Sequence, residues 1–344
     1  MAATKVLVAL SGGVDSSVCV KLLLDKGYDV SGLVMRMSDR HETTVKAAKE
    51  AASALGIKLY ELDLRKEFKK TIIDYFADEY KSGRTPSPCI KCNPQIKFKY
   101  LLKTADENGF DYIATGHYAK ITEDENGIYH LFKGNSIERD QSYMLFGLSQ
   151  DVLSKLMLPL FEYEKPMIRE IAKDIGLNCA DAPDSQENCF IEDKNYADYI
   201  ERHYGKSEKG QFIAPDGTVC GEHKGIIHYT VGQRKGLGIA LGQPVFITEI
   251  DPEQNKIYLG FENSLVSEIN LKNLNEIYDG AIKDGMSCEA KLRSAAKPVK
   301  CTVKLEKPNK ICTLIMNNPQ KKVPSGQGGC LYKGNEILGG GIIF

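Results

Sequence analysis

The stretch Ser11-Gly12-Gly13-Val14-Asp15-Ser16-Ser17 follows the apolar run Val6-Leu7-Val8-Ala9-Leu10. The run reads as a buried strand. Ser16 to Lys26, with Val18, Leu22 and Leu23 on one face and Gly27 as its stop, reads as a helix. A glycine-rich turn between the two converges main-chain N–H groups on an anion at a helix N-terminus, and the serines add hydroxyl donors. The lysine of G-x-x-x-x-G-K-[ST] is missing, which argues against a loop that clasps a terminal phosphate.

Working outward, Val30–Met35 and Lys58–Leu64 read as strands, and His41–Leu55, closed by Gly56, as an alanine-rich helix. A helix over Lys66–Lys81 ends at Ser82-Gly83. A loop with Pro86, Pro88 and Pro94 leads to a helix over Lys99–Asn108, and Asp111–Thr115 is a short strand running into Gly116-His117. Strands alternating with helices predict an α/β fold with a doubly wound parallel sheet, whose ligands sit beyond the carboxyl ends of the strands. Ser11–Ser17 and Gly116-His117 both leave strand ends, so one nucleotide site could use both.

At 344 residues the chain is too long for one average domain. Hydrophobic content of 42% and charged content of 26% are those of a globular protein. No signal peptide and no membrane-spanning run is evident, so a cytoplasmic location without membrane contact is expected. The net charge of −1 is unevenly spread: 271–344 carries 12 Lys and Arg against 6 Asp and Glu, whereas 151–220 carries 8 against 14. The basic tail suits a phosphate-bearing partner or a solvated face equally well.

Ten cysteines without a secretory signal do not read as a disulfide framework. Cys19, Cys220, Cys288, Cys301, Cys312 and Cys330 read as small buried hydrophobes. Cys89 and Cys92 form a C-x-x-C in the proline-rich loop, where Lys91, Lys97, Lys99 and Lys103 are expected to favour thiolates. The pattern alone leaves zinc, iron–sulfur and redox roles open. Cys189, between Asn188 and Phe190, reads on its own as a core thiol.

SGGVDSS resembles the PP-loop of the ATP pyrophosphatase superfamily. With Gly116-His117-Tyr118-Ala119, Arg139-Asp140-Gln141-Ser142-Tyr143, Pro183-Asp184-Ser185-Gln186, Cys189-Phe190-Ile191 and Tyr229–Gly238 in one order, the chain resembles the tRNA-specific 2-thiouridylase family nearly end to end. The resemblance implies a PP-loop ATP-binding domain over 1–204, a small central domain over 205–270 and a C-terminal, tRNA-binding β-barrel over 271–344. Strand-like segments at Val245–Ile250, Lys256–Leu259 and Cys301–Leu305 agree with this.

The implied reaction replaces oxygen by sulfur at C2 of the wobble uridine of tRNA, through an adenylate that releases AMP and pyrophosphate. Ser11, Gly12, Gly13, Val14, Ser16 and Ser17 would hold ATP, with Met35 and Gly116 also touching the nucleotide. Asp15 would hold Mg²⁺ or orient the loop. Arg139, Asp140, Gln141, Arg293 and Gln327 are the implied tRNA contacts. Ser294-Ala295-Ala296 departs from the family's pattern beside Arg293. His117 could touch nucleotide or uracil, or only brace its loop.

Many members carry Asp where this chain has Cys89, and are thought to relay a persulfide: Cys189 would carry the sulfur and Cys92, the nucleophile, would release it by forming a disulfide. Three cysteines could instead ligate three irons of a [4Fe–4S] cluster with the fourth iron open, and the ligand count favours that reading. Met37–His41 is shorter than the family's usual insertion, so the sulfur donor (sulfide, or a sulfurtransferase or cysteine desulfurase system) could dock differently. A paralogue acting on another RNA base is the alternative. Cys179 reads as structural, and a monomer or weak dimer is expected.

Overall fold

The computed structural model describes residues 3–136, 138–177, 188–191, 195–262, 264–306 and 310–344. Cys179 and Pro183–Gln186 lie outside the described residues.

The N-terminal half is built on a five-stranded parallel sheet. In chain order come β1 (Lys5–Ala9), α1 (Val14–Asp25), β2 (Asp29–Arg36), α2 (Glu42–Leu55), β3 (Lys58–Asp63) and β4 (Tyr112–Ala114). After the hairpin β5 (Ala119–Glu123) and β6 (Tyr129–Lys133), β7 (Leu156–Met157) completes the sheet, in the order β3-β2-β1-β4-β7. β1 lies between β2 and β4, and Val6, Leu7 and Val8 are fully buried, as expected of a strand covered on both faces. Strand order reverses between β1 and β4. Their carboxyl ends therefore flank the crevice where such sheets bind ligands, and Ser11–Ser17 and Gly116-His117 sit there.

The helix expected at Lys66–Lys81 is present in three pieces, Arg65–Phe68, a wider π turn Lys69–Ile73, and Asp74–Lys81. The proline-rich loop is shorter than expected. Pro88 opens a helix, Pro88–Cys92, which runs through a π turn, Asn93–Lys97, into the helix Phe98–Glu107. Proline at the first helical position costs no hydrogen bond, because that N–H has no partner within the helix. The C-x-x-C thus stands on a helix rather than in a loop.

A small antiparallel and parallel sheet follows, from β8 (Gly210–Ile213), β9 (Val219–His223), β10 (Phe246–Asp251) and β11 (Lys256–Gly260), in the order β10-β11-β8-β9. Six further strands close into a barrel: β12 (Leu265–Glu276), β13 (Ser287–Lys291), β14 (Val299–Glu306), β15 (Ile311–Lys321), β16 (Gly328–Lys333) and β17 (Glu336–Ile343). Their order is β12-β15-β14-β13-β16-β17, and β12 pairs again with β17. Cys301 and Val303 point into the barrel core beside Leu271, Cys312 and Leu314, while Lys304 is exposed. β12 begins ahead of position 271, so we place the start of the barrel at Leu265. The hairpin β5–β6 extends the barrel sheet, pairing Leu131 with Ile337.

Candidate active site

The PP-loop is shaped by short contacts within itself. Ser16 Oγ donates to the Gly13 carbonyl at 3.0 Å and accepts from the Ser11 N–H at 3.2 Å, with the Ser11 and Ser16 hydroxyls also 3.2 Å apart. Gly12 has φ +74°, and a Cβ there would stand 2.3 Å from the Ala47 carbonyl carbon on α2. Only glycine fits that approach. Gly13 precedes the first turn of α1, Val14 is buried beneath it, and Met35 is buried at the end of β2. Ser17 Oγ is enclosed and finds no hydrogen-bond partner among the described residues. A buried orphan hydroxyl beside a glycine cradle fits a bound phosphate oxygen.

Asp15 is already engaged. Its Oδ1 accepts from the Tyr118 hydroxyl at 2.6 Å, and its two carboxylate oxygens accept from Lys165 Nζ at 2.8 and 2.7 Å. Lys165 is 7% exposed and opens the helix Lys165–Asp174. It escapes a sequence reading because its partner lies 150 residues away and nothing local marks it. Gly116 meets the same loop: a Cβ there would be 2.9 Å from the Asp15 carbonyl carbon. The loops after β1 and β4 therefore form one site.

His117 leads from this site toward the thiols. Its Nδ1 lies 2.8 Å from Thr115 Oγ1, and its ring stacks on Phe98 at 5.7 Å between centroids. Burial, reinforced by the Lys97 charge, holds its pKa down to about 3, so the imidazole is neutral across the working range. Lys97 also acts on both Cys92 and Cys189.

Cys92 is buried and Cys89 exposed on the helix Pro88–Cys92. Cys189 is exposed, not a core thiol; its turn is anchored by Phe190 and Ile191, each 3% exposed. Phe190 packs edge-on against Phe68, Phe76 and Tyr199 at 5.2–5.7 Å. Cys189 is exposed as a residue, while protein crowds its sulfur. That crowding, then the neighbouring Cys92 and Cys89 charges, pushes it up to about 12. Burial pushes Cys92 up to about 11, with Lys97 opposing.

The expected lysine field is therefore a correction. Lys91 Nζ sits 3.8 Å above the Tyr75 ring, Lys99 lies near Tyr100, and Lys103 pairs with Glu107. Lys97 opposes the upward shift at both thiols, and burial outweighs it. Among the described residues, no three His, Cys, Asp or Glu side chains converge as a ready metal site. The three thiols share one neighbourhood without forming a ligand set.

The residues expected to contact RNA gather where the barrel meets the N-terminal half. Asp140 accepts from the Ser142 N–H and hydroxyl at 3.1 and 3.0 Å, and Gln141 Oε1 accepts from the Tyr118 N–H at 3.2 Å. Asp140 therefore braces its own turn, whereas Gln141 ties that turn to the segment after β4. Arg139 is half-buried and Arg293 exposed. The Arg293 charge reaches Tyr143, whose hydroxyl donates to the Gly328 carbonyl at 2.9 Å. Gln327 lies beside Gly328, and its amide donates to the Thr85 carbonyl at 2.7 Å.

Three family models match consecutive parts of the chain: a tRNA methyl transferase HUP domain over residues 4–193, a tRNA methyl transferase PRC-barrel domain over 197–261 and an aminomethyltransferase β-barrel domain over 266–343. The chain is 42% identical to the tRNA-specific 2-thiouridylase MnmA of Clostridioides difficile, over 98% of each chain. It is 44% identical to that of Lachnoclostridium phytofermentans, over 99% of each, and 42% identical to that of Acetivibrio thermocellus, over the full length of both. With identity sustained end to end across all three parts, the chain belongs to the tRNA-specific 2-thiouridylase family.

Proposed function

We propose that the chain is a tRNA sulfurtransferase that replaces the C2 oxygen of the wobble uridine by sulfur at the expense of ATP. One observation carries the reading. Gly116 abuts the PP-loop at Asp15, while the adjacent His117 stacks on Phe98, in the helical run that carries Cys89 and Cys92. A phosphate-binding loop and a thiol site are thus joined through two consecutive residues. That arrangement supports sulfur transfer over the methyl transfer in the family models' descriptions.

A uridine C2 oxygen is a poor leaving group. Attack of that oxygen on the α-phosphorus of ATP expels pyrophosphate and makes the oxygen part of an adenylate. Sulfur then adds at C2, and AMP departs with the oxygen. The PP-loop N–H groups, Ser11, Ser16 and the orphan Ser17 hydroxyl would hold the pyrophosphate portion. The Lys165 ammonium already on Asp15 favours the loop-orienting role for that carboxylate over direct Mg²⁺ ligation. Mg²⁺ would supply charge neutralisation on the phosphates. Neutral His117 is suited to hydrogen-bonding near the junction rather than to carrying charge.

For sulfur delivery, the exposed Cys189 and buried Cys92 suit a relay. A donor leaves a persulfide on Cys189, and Cys92 attacks the Cys189 Sγ. The Cys92–Cys189 disulfide forms, hydrosulfide is released to C2, and an external dithiol reduces the disulfide. A second reading rests on Cys89 sharing this neighbourhood. A [4Fe–4S] cluster would require Cys89, Cys92 and Cys189, which do not converge as a ligand set among the described residues, to be drawn together around it.

The test is Cys89→Asp, with thiouridine in tRNA and iron per chain measured after anaerobic reconstitution. Iron at background with retained thiolation supports the relay. Loss of about four irons together with activity supports the cluster. Wild-type enzyme that releases no pyrophosphate with tRNA and ATP would remove the proposed function altogether.

A further inference from the structure

The segment that delivers Cys89 and Cys92 is held from outside its own domain. The Thr85 N–H donates to the Ser325 carbonyl at 2.8 Å, and the Thr85 carbonyl accepts from Gln327 Nε2 at 2.7 Å. The Thr85 hydroxyl meets Thr230 Oγ1 at 3.2 Å. Both main-chain groups of this residue thus go to the turn before β16, and its side chain goes to the central domain.

The contact continues into the helix itself. Gly326 has φ +95°, and a Cβ there would stand 3.0 Å from the Thr85 oxygen. A Cβ on Gly328 would stand 2.4 Å from Ile90 Cδ1, on one of the two residues between the cysteines. Pro88–Cys92 is the first turn of a helical run that continues to Glu107, so where the run begins is decided at its entry. Its place is set by the chain that enters it and by what packs on it. Here the barrel holds the entering chain at Thr85 and sets Gly328 against Ile90, while Tyr75 of the N-terminal domain lies under Lys91.

We infer that Gln327 is a positioning residue for the sulfur-handling cysteines, fixing through the Thr85 carbonyl where the helix carrying Cys89 and Cys92 begins. The resemblance gave Gln327 an RNA contact alone. A side-chain amide has two N–H groups and a carbonyl oxygen, so the bond to Thr85 leaves capacity for RNA. The inference rests on the proposed sulfur transfer only for the word sulfur-handling, since the placement of the helix is a property of the free protein.

The experiment uses the full-length chain without RNA. Gln327→Leu preserves side-chain bulk and removes the donor. Iodoacetamide modification of Cys92, followed by peptide mass spectrometry, is expected to accelerate about fivefold as the helix start loosens. Thiolation at saturating tRNA should fall about tenfold, because a small misplacement of a reacting group is costly. An unchanged Cys92 rate with only a weaker tRNA Kd overturns the inference and leaves Gln327 as an RNA contact. An accelerated rate supports it whatever the Kd does. Gly326→Ala presses on the same carbonyl while keeping the Gln327 amide, is expected to give the same pattern, and decides the matter should Gln327→Leu fail to fold. If wild-type enzyme proves unable to thiolate tRNA while the alkylation effect persists, the proposed function fails and the placement of the helix stands.

Discussion

The PP-loop turn closes on itself even as Asp15 reaches out to Tyr118 and Lys165, whereas the cysteine helix is held at its entry from the barrel. Ser11, Gly13 and Ser16 bond one another within one turn, and Gly12 packs on the neighbouring helix α2. The helix Pro88–Cys92 depends on Ser325, Gln327 and Gly328 from the barrel, and its partner thiol Cys189 arrives on a turn anchored by Phe190. A site that must recognise one invariant group, a polyphosphate, can be encoded in a short contiguous motif. A site that must bring thiols to a base within a folded RNA draws on distant segments, and its chemistry becomes sensitive to how the domains sit together.

The largest expected effect is on the self-contained side. Gly12→Ala sets a Cβ against the Ala47 backbone and forces a positive φ on alanine, which should cost about 3–5 kcal/mol in urea unfolding. ATP-dependent pyrophosphate release should fall at least about a hundredfold. A variant with normal ATP turnover would break the idea that this loop is tightly packed.

Lys165→Met comes next, because it strips Asp15 of its ammonium partner. The expected loss is about 1–2 kcal/mol, below the cost for a fully buried pair because Asp15 keeps 33% of its side chain exposed. A raised KM for ATP should accompany it, and an unchanged KM would reassign Lys165 to stability alone.

On the outward-tied side, the thiols should be sluggish. With its pKa near 11, Cys92 is protonated at pH 7, and its alkylation rate should climb about tenfold per pH unit until that value is reached. The folded-state pKa is raised, so the stability it contributes is full below the ordinary thiol range and is lost as pH rises through about 11. A rate already flat at pH 8 would refute the burial account.

The smallest effect separates two lysines. Lys97→Met should slow Cys92 alkylation at pH 9 about threefold, whereas Lys91→Met, whose ammonium rests on the Tyr75 ring, should leave it unchanged. Equal effects would mean that the thiols sit in a diffuse basic field.

The same contrast explains what could be read in the sequence. The parallel sheet, α1, α2 and the pairing of Ser11–Ser17 with Gly116 follow from apolar runs and glycine stops, which are local signals. Pro86, Pro88 and Pro94 suggested a loop, but Pro88 occupies the one helical position where a missing N–H is free of cost. Lys165 and the Gln327–Thr85 bond were invisible, since each is defined by a partner 150 or 242 residues away. The elevated thiol pKa values were also missed, because counting nearby lysines says nothing of which way their side chains go.

The pairing of Leu131 with Ile337 bears on how the chain is made. During synthesis at about 5–20 residues per second, β6 emerges roughly 10–40 s before the strand that covers its edge. For that interval Tyr129–Lys133 presents unpaired backbone groups of the kind that recruit foreign strands. Expression yield, and the demand on chaperones that shield nascent chains, should therefore depend on residues of this hairpin that touch neither nucleotide nor thiol.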